Sequence, residues 1–397
     1  NNKPGNKIVI GTIDSLYSGI LHEERKIWVH VPESYRQADT NNRQKYPVVY
    51  LLDGDAHFFS VAGMIHQLSA VNGNTISPEM IVVGIPNTDR TRDLTPTHVA
   101  SDPPYMDSAS SVTSGGGEQF VAFIEKELVP HIDSLYPAAP YKVLIGHSFG
   151  GLTVINTLMH HTSLFNAYVA IDPSMWWDNM RLLKEVQENA PAKDFSHTAL
   201  YLGIANTMNA GMDTMKVQYD TNPMDKHIRS ILALSHTLAA NSPKNGLRFS
   251  YRYYGTDNHG SVPLITEYDA LHFLFDYYRL NLTNNDFVNI DTTVITKIVN
   301  HYDTVSAKLR YKTSPPQEII NSLVYQAISI KHWAAAERLA LLNVTNYPTN
   351  AGLFDTQGDV YAAEGNRQKA IDCYKKALSL NSDMKETKAK LDSLEHK

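Results

Sequence analysis

The sequence predicts an α/β fold with a mostly parallel central sheet flanked by helices, followed by an all-α module of helical repeats. Three observations predict it. Up to about residue 282 short β-rich runs alternate with longer helical patterns, the signature of strands joined by crossover helices. Several of those runs are apolar throughout, as strands buried on both faces must be. After Leu282 no β-rich run remains, and helical patterns follow one another to the end. The expected division is therefore 1–282 and 283–397.

Strands are expected at 26–31, 48–52, 80–85, 143–145, 168–171, 199–204 and 249–254. Helices are expected at 118–135, 152–161, 225–240 and 263–280. In such a sheet, function collects on loops at the carboxyl ends of strands. One of these, 87–117, is long, polar and rich in Pro and Ser, and ends Gly115-Gly116-Gly117. A lid, a binding loop or a tolerated surface insertion each fits a connection of that length. In the second region Phe354, Gly358, Tyr361, Ala370, Tyr374 and Ala377 fall at tetratricopeptide offsets. A degenerate copy lies 34 residues earlier, with Ala336 matching Ala370 and Pro348 at the turn that Ser382 holds later. Two repeats are fewer than a free-standing stack needs, so the module is expected to lean on the first domain, pair with a second copy or take a protein partner. A helical hairpin covering an apolar edge would give the same pattern.

Composition narrows the function classes. Hydrophobic residues make up 43% and charged residues 19%, which excludes a disordered tail and a charge-dense coiled coil. The net charge is −6, and no Lys/Arg run is long enough for a polyanion surface, so nucleic acid is excluded as a partner. No stretch reaches the ~18 apolar residues of a membrane span. The single cysteine, Cys373, has no partner for a disulfide or a zinc site, and no H-E-x-x-H spacing occurs, so neither metal nor cofactor is expected. The chain opens Asn1-Asn2-Lys3-Pro4 without Met, which a removed leader or a trimmed chain explains. With 22 tyrosines this leans toward a periplasmic or secreted protein over a cytoplasmic one.

Gly146-His147-Ser148-Phe149-Gly150 reads G-x-S-x-G, directly after the apolar run 143–145 and directly before a helical pattern. That context makes Ser148 a nucleophile on a tight strand-to-helix turn, flanked by glycines that let strand and helix approach. A serine hydroxyl needs a base. Of the 17 histidines His259 alone sits after the last strand and before a long helix, where this fold delivers one. His147 reads as packing at the turn, and His160-His161 as a helix end. For the acid, the loop after the strand 199–204 offers amides, Ala205-Asn206-Thr207-Met208-Asn209. Asp213 is the nearest carboxylate downstream and is assigned the role. Asp172, just past Ile171, competes, Asp225 does so distantly, and a Ser–His dyad without an acid is a further alternative. Two N–H donors must hold the oxyanion. Phe149, after the nucleophile, and Asp55, in Asp53-Gly54-Asp55-Ala56, are the candidates, with the Asp55 carboxylate turned outward or toward a polar substrate group.

At these residues the chain resembles a known family, the putative-esterase branch of the α/β hydrolases, which contains esterase D and the enterochelin-esterase-like enzymes. The resemblance spans about 7–282. Its carriers are Tyr46-Pro47-Val48-Val49-Tyr50-Leu51-Leu52-Asp53-Gly54, the Gly146–Gly151 turn, Asp172-Pro173-Ser174-Met175-Trp176-Trp177 and Asn258-His259-Gly260-Ser261. The segment Arg90-Thr91-Arg92-Asp93-Leu94-Thr95-Pro96 is similar to that branch as well. The resemblance implies an α/β-hydrolase fold, a Ser nucleophile on Ser148, a His base on His259 and an oxyanion donor on Asp55. It departs at the acid, where Asn206 stands; some siderophore-type members work as Ser–His dyads. Trp176 and Trp177 are expected as an apolar pocket wall or as a cap over the core beneath the helix starting near Asp178. Arg92, with Arg90, is expected to meet an anionic substrate, although the cationic cluster a ferric catecholate would call for is absent.

The expected activity is a serine esterase acting on small or medium carboxylic esters, siderophore-type multi-esters included, through an acyl-enzyme on Ser148. A thioesterase or acyltransferase could run on the same residues. A catalytically degenerate scaffold with a protein-binding repeat module is the rival from another class.

Overall fold

The computed structural model describes residues 7–37 and 44–396. These fall into two compact units, one taking residues 44–279 with most of the described N-terminal stretch, the other taking residues 280 onward.

The first unit is built on an eight-stranded sheet in the order β1-β2-β4-β3-β5-β6-β7-β8. The strands are β1 Thr12–Ser18, β2 Glu23–His30, β3 Tyr46–Leu52, β4 Ile81–Ile85, β5 Ala138–His147, β6 Ala167–Ile171, β7 Ala199–Ala205 and β8 Arg248–Tyr254. From β4 through β8 every pairing is parallel, while β1–β2 and β2–β4 are antiparallel. Every residue of β3, β4, β6 and β7 is buried, which accounts for their unbroken apolar runs. β1 carries no such run: it is an edge strand with alternating exposure, and its TIDSLYS sequence lacks the signal used to find the others.

Helices Gly54–Ser69, Phe149–His160, Trp177–Asn189, Lys226–Asn245 and Val262–Leu274 connect and cover the strands. The helical run expected at 118–135 is two helices, Gly117–Phe123 and Val129–Leu135, joined by a wide π-type turn over Ile124–Leu128. Helix Gly54–Ser69 had no counterpart among the expected elements; its glycine start and His/Phe-rich first turns weaken a 3.6-residue pattern.

The second unit is all helical among its described residues. Thr292–Leu309 is followed by Gln317–Ser329, Trp333–Asn346, Ala351–Glu364, Arg367–Leu380 and Lys385–Glu395. Gly358 is required where two of them meet, because a Cβ there would lie 2.4 Å from the Tyr374 ring. Ala336, Ala370 and Ala377 are fully buried, so the small residues of the repeat pattern do mark close helix contacts.

Candidate active site

The site forms at the carboxyl ends of the central strands, and the three residues that leave β3, β5 and β6 share an unusual backbone. Asp53, Ser148 and Asp172 have φ of 52°, 59° and 40°. Three non-glycine residues held at positive φ side by side mark a place where the surrounding packing imposes a costly conformation. Ser148 caps helix Phe149–His160, and its N–H donates to the Ile171 carbonyl across to β6. The turn is possible only because position 146 lacks a side chain: a Cβ there would meet the Gly150 backbone at 2.4 Å. The Ser148 hydroxyl meets that of Ser174 at 3.3 Å.

Asp172 is completely buried. Its Oδ1 accepts the Ala205 N–H at 2.9 Å, and its Oδ2 accepts from His259 Nδ1 at 2.6 Å and from His227 Nε2 at 2.9 Å. Burial pushes this carboxyl's pKa upward, but the two imidazoles, His227 first, outweigh burial and hold it well below the usual carboxylate range. The assignment of Asp213 is therefore corrected. Asp213 is exposed, accepts the Met215 and Lys216 N–H groups, and pairs with the Lys216 ammonium at 3.4 Å. It caps a local turn, whereas Asp172 is the carboxylate on His259. Asp225 is buried but spends its oxygens on the Asn209 N–H and side-chain amide. Asn206, standing where an acid was expected, serves the site differently. Its N–H donates to the Asp257 carbonyl and its side chain to that of Gly255, tying the loop that carries His259 to the end of β7.

His147 also belongs here. Its ring lies 4.5 Å from that of His259 and 5.7 Å from that of His57. Burial, then the neighbouring His259 and His57, push its pKa down to about 4, so it adds no positive charge beside His259 at neutral pH.

Phe149 and Asp55, the two expected oxyanion donors, both occupy the first turn of a helix, where N–H groups have no intrahelical acceptor and the helix end favours negative charge. The two turns abut, since a Cβ on Gly150 would lie 3.2 Å from Asp53 Oδ2. The Asp55 side chain is exposed and faces the Asn87 amide at 3.3 Å. Arg90 braces both turns: its guanidinium forks onto Asp53 at 2.6 and 3.0 Å and lies 5.3 Å over the Phe149 ring.

Three residues expected to touch substrate are placed elsewhere. Trp176 and Trp177 are 5% and 2% exposed, because the 87–117 loop packs on them. Tyr105 lies against Trp176 at 4.6 Å, and Trp177 Nε1 donates to the Thr97 carbonyl and hydroxyl. Both cap the core and abut Phe149, as the alternative reading had it. Arg92 is committed to Glu23 at 2.7 Å and Asp93 at 2.7 Å, and that hydrogen bonding pulls the Glu23 pKa down to about 2.

Among the described residues, Asp172, His227 and His259 form the one group whose ligand atoms, all within 4.8 Å of one another, could hold a metal ion. Tetrahedral ligands at ~2.05 Å from zinc stand about 3.3 Å apart. The N···O separations of 2.6 and 2.9 Å are instead hydrogen-bond lengths. Among the described residues no helix is long and apolar enough to cross a membrane.

Residues 18–209 match the family model described as putative esterase. Among solved structures the chain is similar to an IroE-like serine hydrolase from Shewanella oneidensis, with 33% identity, a TM-score of 0.67, and coverage of 84% of this chain and 98% of that one. An uncharacterised protein from Capnocytophaga ochracea shares the fold over 98% of this chain and all of its own, at 19% identity and a TM-score of 0.62. A siderophore triacetylfusarinine C esterase from Aspergillus fumigatus is 27% identical over 157 residues, 39% of this chain and 53% of that protein. The chain spans about half the length of the curated relatives it matches.

Proposed function

This chain belongs to the putative esterase family, and on that premise we propose that it hydrolyses carboxylic esters through an acyl-enzyme on Ser148. The observation that carries the reading is the 2.6 Å bond from His259 Nδ1 to the buried Asp172, beside a serine held at φ 59° on a strand-to-helix turn. With Nδ1 spent on Asp172, His259 keeps Nε2 as the nitrogen that takes a proton.

Ser148 Oγ attacks the ester carbonyl carbon while its proton passes to His259 Nε2. The carbonyl π pair becomes an oxyanion, met by the Phe149 and Asp55 N–H groups. As the tetrahedral adduct collapses, the C–O bond to the leaving alkoxide breaks and His259 returns the proton to it, releasing an alcohol. Water then attacks the acyl-enzyme with the same base, freeing the acid and Ser148. Asp172 stays ionised throughout and stabilises the imidazolium. A degenerate scaffold drew its support from a missing acid, and Asp172 removes that support.

The substrate class follows the relatives: esters of the siderophore type, in which one molecule offers several ester bonds. Arg92 is taken up by Glu23 and Asp93; Arg90, 37% exposed at its side chain, borders the oxyanion turns while bonded to Asp53.

The test is a panel of chromogenic esters of increasing acyl length, with a cyclic tri-ester, on wild type and Ser148→Ala. We expect turnover of short acyl esters and the tri-ester, with kcat falling by at least about 10³-fold in the variant. Turnover that survives the substitution would remove Ser148 from the reaction.

A further inference from the structure

We propose that His227, one of the buried residues of helix Lys226–Asn245, is a positioning residue that locks the acid–base pair through a second N–H bond to Asp172; this rests on the esterase reading above.

The geometry is unusual in one respect: a single carboxylate oxygen, Asp172 Oδ2, takes both His259 Nδ1 at 2.6 Å and His227 Nε2 at 2.9 Å. A carboxylate with no exposure must have its lone pairs occupied by donors, or the hydration it gave up on burial goes uncompensated. Here three donors from three elements converge on it: the Ala205 N–H at the end of β7, His259 on the loop after β8, and His227 on the helix. With only the first two the carboxylate could pivot and carry the His259 ring with it. The third fixes Oδ2 in space. The His227 ring also stands edge-on to that of His259, with centroids 5.2 Å apart, so it limits ring tilt as well.

Two further facts bear on His227, one on its ring and one on its helix. Its Nδ1 is buried with no hydrogen-bond partner, so the ring has a single functional nitrogen, Nε2. Its helix start is held by the long loop. Tyr105 Oη accepts the His227 N–H at 3.1 Å and donates to the Met224 carbonyl at 2.9 Å, while Asp102 pairs with Lys226 at 3.2 Å. The 87–117 loop thereby reaches the catalytic base through Tyr105, His227 and Asp172.

Two substitutions separate donation from packing. His227→Phe keeps a ring and loses the donor; His227→Gln places an amide N–H the same number of bonds from Cα as Nε2 and loses the ring. We expect His227→Phe to lower kcat for a short-acyl p-nitrophenyl ester by about 100-fold, the scale of a misplaced catalytic group, with KM unchanged. We expect His227→Gln to recover most of that loss. In proton NMR the low-field His259 Nδ1–H resonance, assigned by its absence from His259→Gln, should move in His227→Phe and return toward its original position in His227→Gln. Wild-type kcat with an unmoved resonance in His227→Phe, or a Gln variant as impaired as the Phe variant, would overturn the proposal. If turnover does not depend on Ser148 at all, the esterase reading fails, and the resonance comparison still decides whether His227 bonds Asp172.

Discussion

At the scale of single residues, the acid decides how the site works. Ser148 and His259 could be proposed because each sits in a local context, a strand-to-helix turn and a loop between the last strand and a helix. The carboxylate bonded to His259 was not chosen, because an acid was expected after the strand 199–204, where Asp213 is the nearest one, although Asp172 follows directly on a strand and opens a family-like segment. Only the sheet order, which sets β6 between β5 and β7, brings it beside both the serine turn and the His259 loop. His227 left no signal at all, since a histidine near a helix start is ordinary until the helix is known to point at a buried carboxylate. The two acids now make opposite predictions. Asp172→Asn removes the charge that orients and stabilises His259 and should lower kcat by about 10⁴-fold. Asp213→Asn alters an exposed turn and should leave kcat unchanged. Steady-state kinetics of the pair on one ester checks both, and a fall in Asp213→Asn alone would reverse the assignment.

At the scale of elements, the site is a set of strand ends pressed together by backbone contacts. The expected strands were found where runs were apolar, and the boundaries shifted by a few residues, as at β5, which runs Ala138–His147 rather than 143–145. Its early residues alternate in burial and so lacked the apolar signature. The pocket-wall reading of the tryptophans fails for a related reason: a sequence cannot show that Thr97, 80 residues before Trp177, and its loop fold back over them. The turn at Ser148 depends on glycine at 146, where an added methyl would strike backbone rather than a yielding side chain. Gly146→Ala should therefore open the turn, abolishing ester turnover and lowering thermal stability. The check is a melting curve beside the kinetic assay; an unchanged melt with full activity would show that the strand and helix have room to separate.

At the scale of the whole molecule, each unit has its own apolar core, and the first carries a buried acid outside the site. Glu267, in helix Val262–Leu274, is 2% exposed with neither carboxyl oxygen hydrogen-bonded, and burial raises its pKa from 4.5 to about 8. Below pH 4.5 the folded and unfolded chains both carry it protonated, so the native state loses nothing there. As the pH rises from 4.5 toward 8 the unfolded chain ionises first, and a few kcal/mol of stability are lost across that window. Glu267→Gln should remove the penalty: its melting temperature should match wild type near pH 4 and exceed it at pH 8, read by calorimetry across that range. Equal melting temperatures at both ends would mean that the acid finds a partner in solution. In the second unit the sequence pattern located small residues at real helix contacts, Gly358 against Tyr374 among them.

The most direct measurement of the central claim is labelling of the folded chain with a fluorophosphonate, followed by mass mapping of the modified peptide. The account predicts a single covalent adduct on Ser148, absent in Ser148→Ala and formed far more slowly in Asp172→Asn. A folded chain that takes no label, or takes it on another residue, would contradict it.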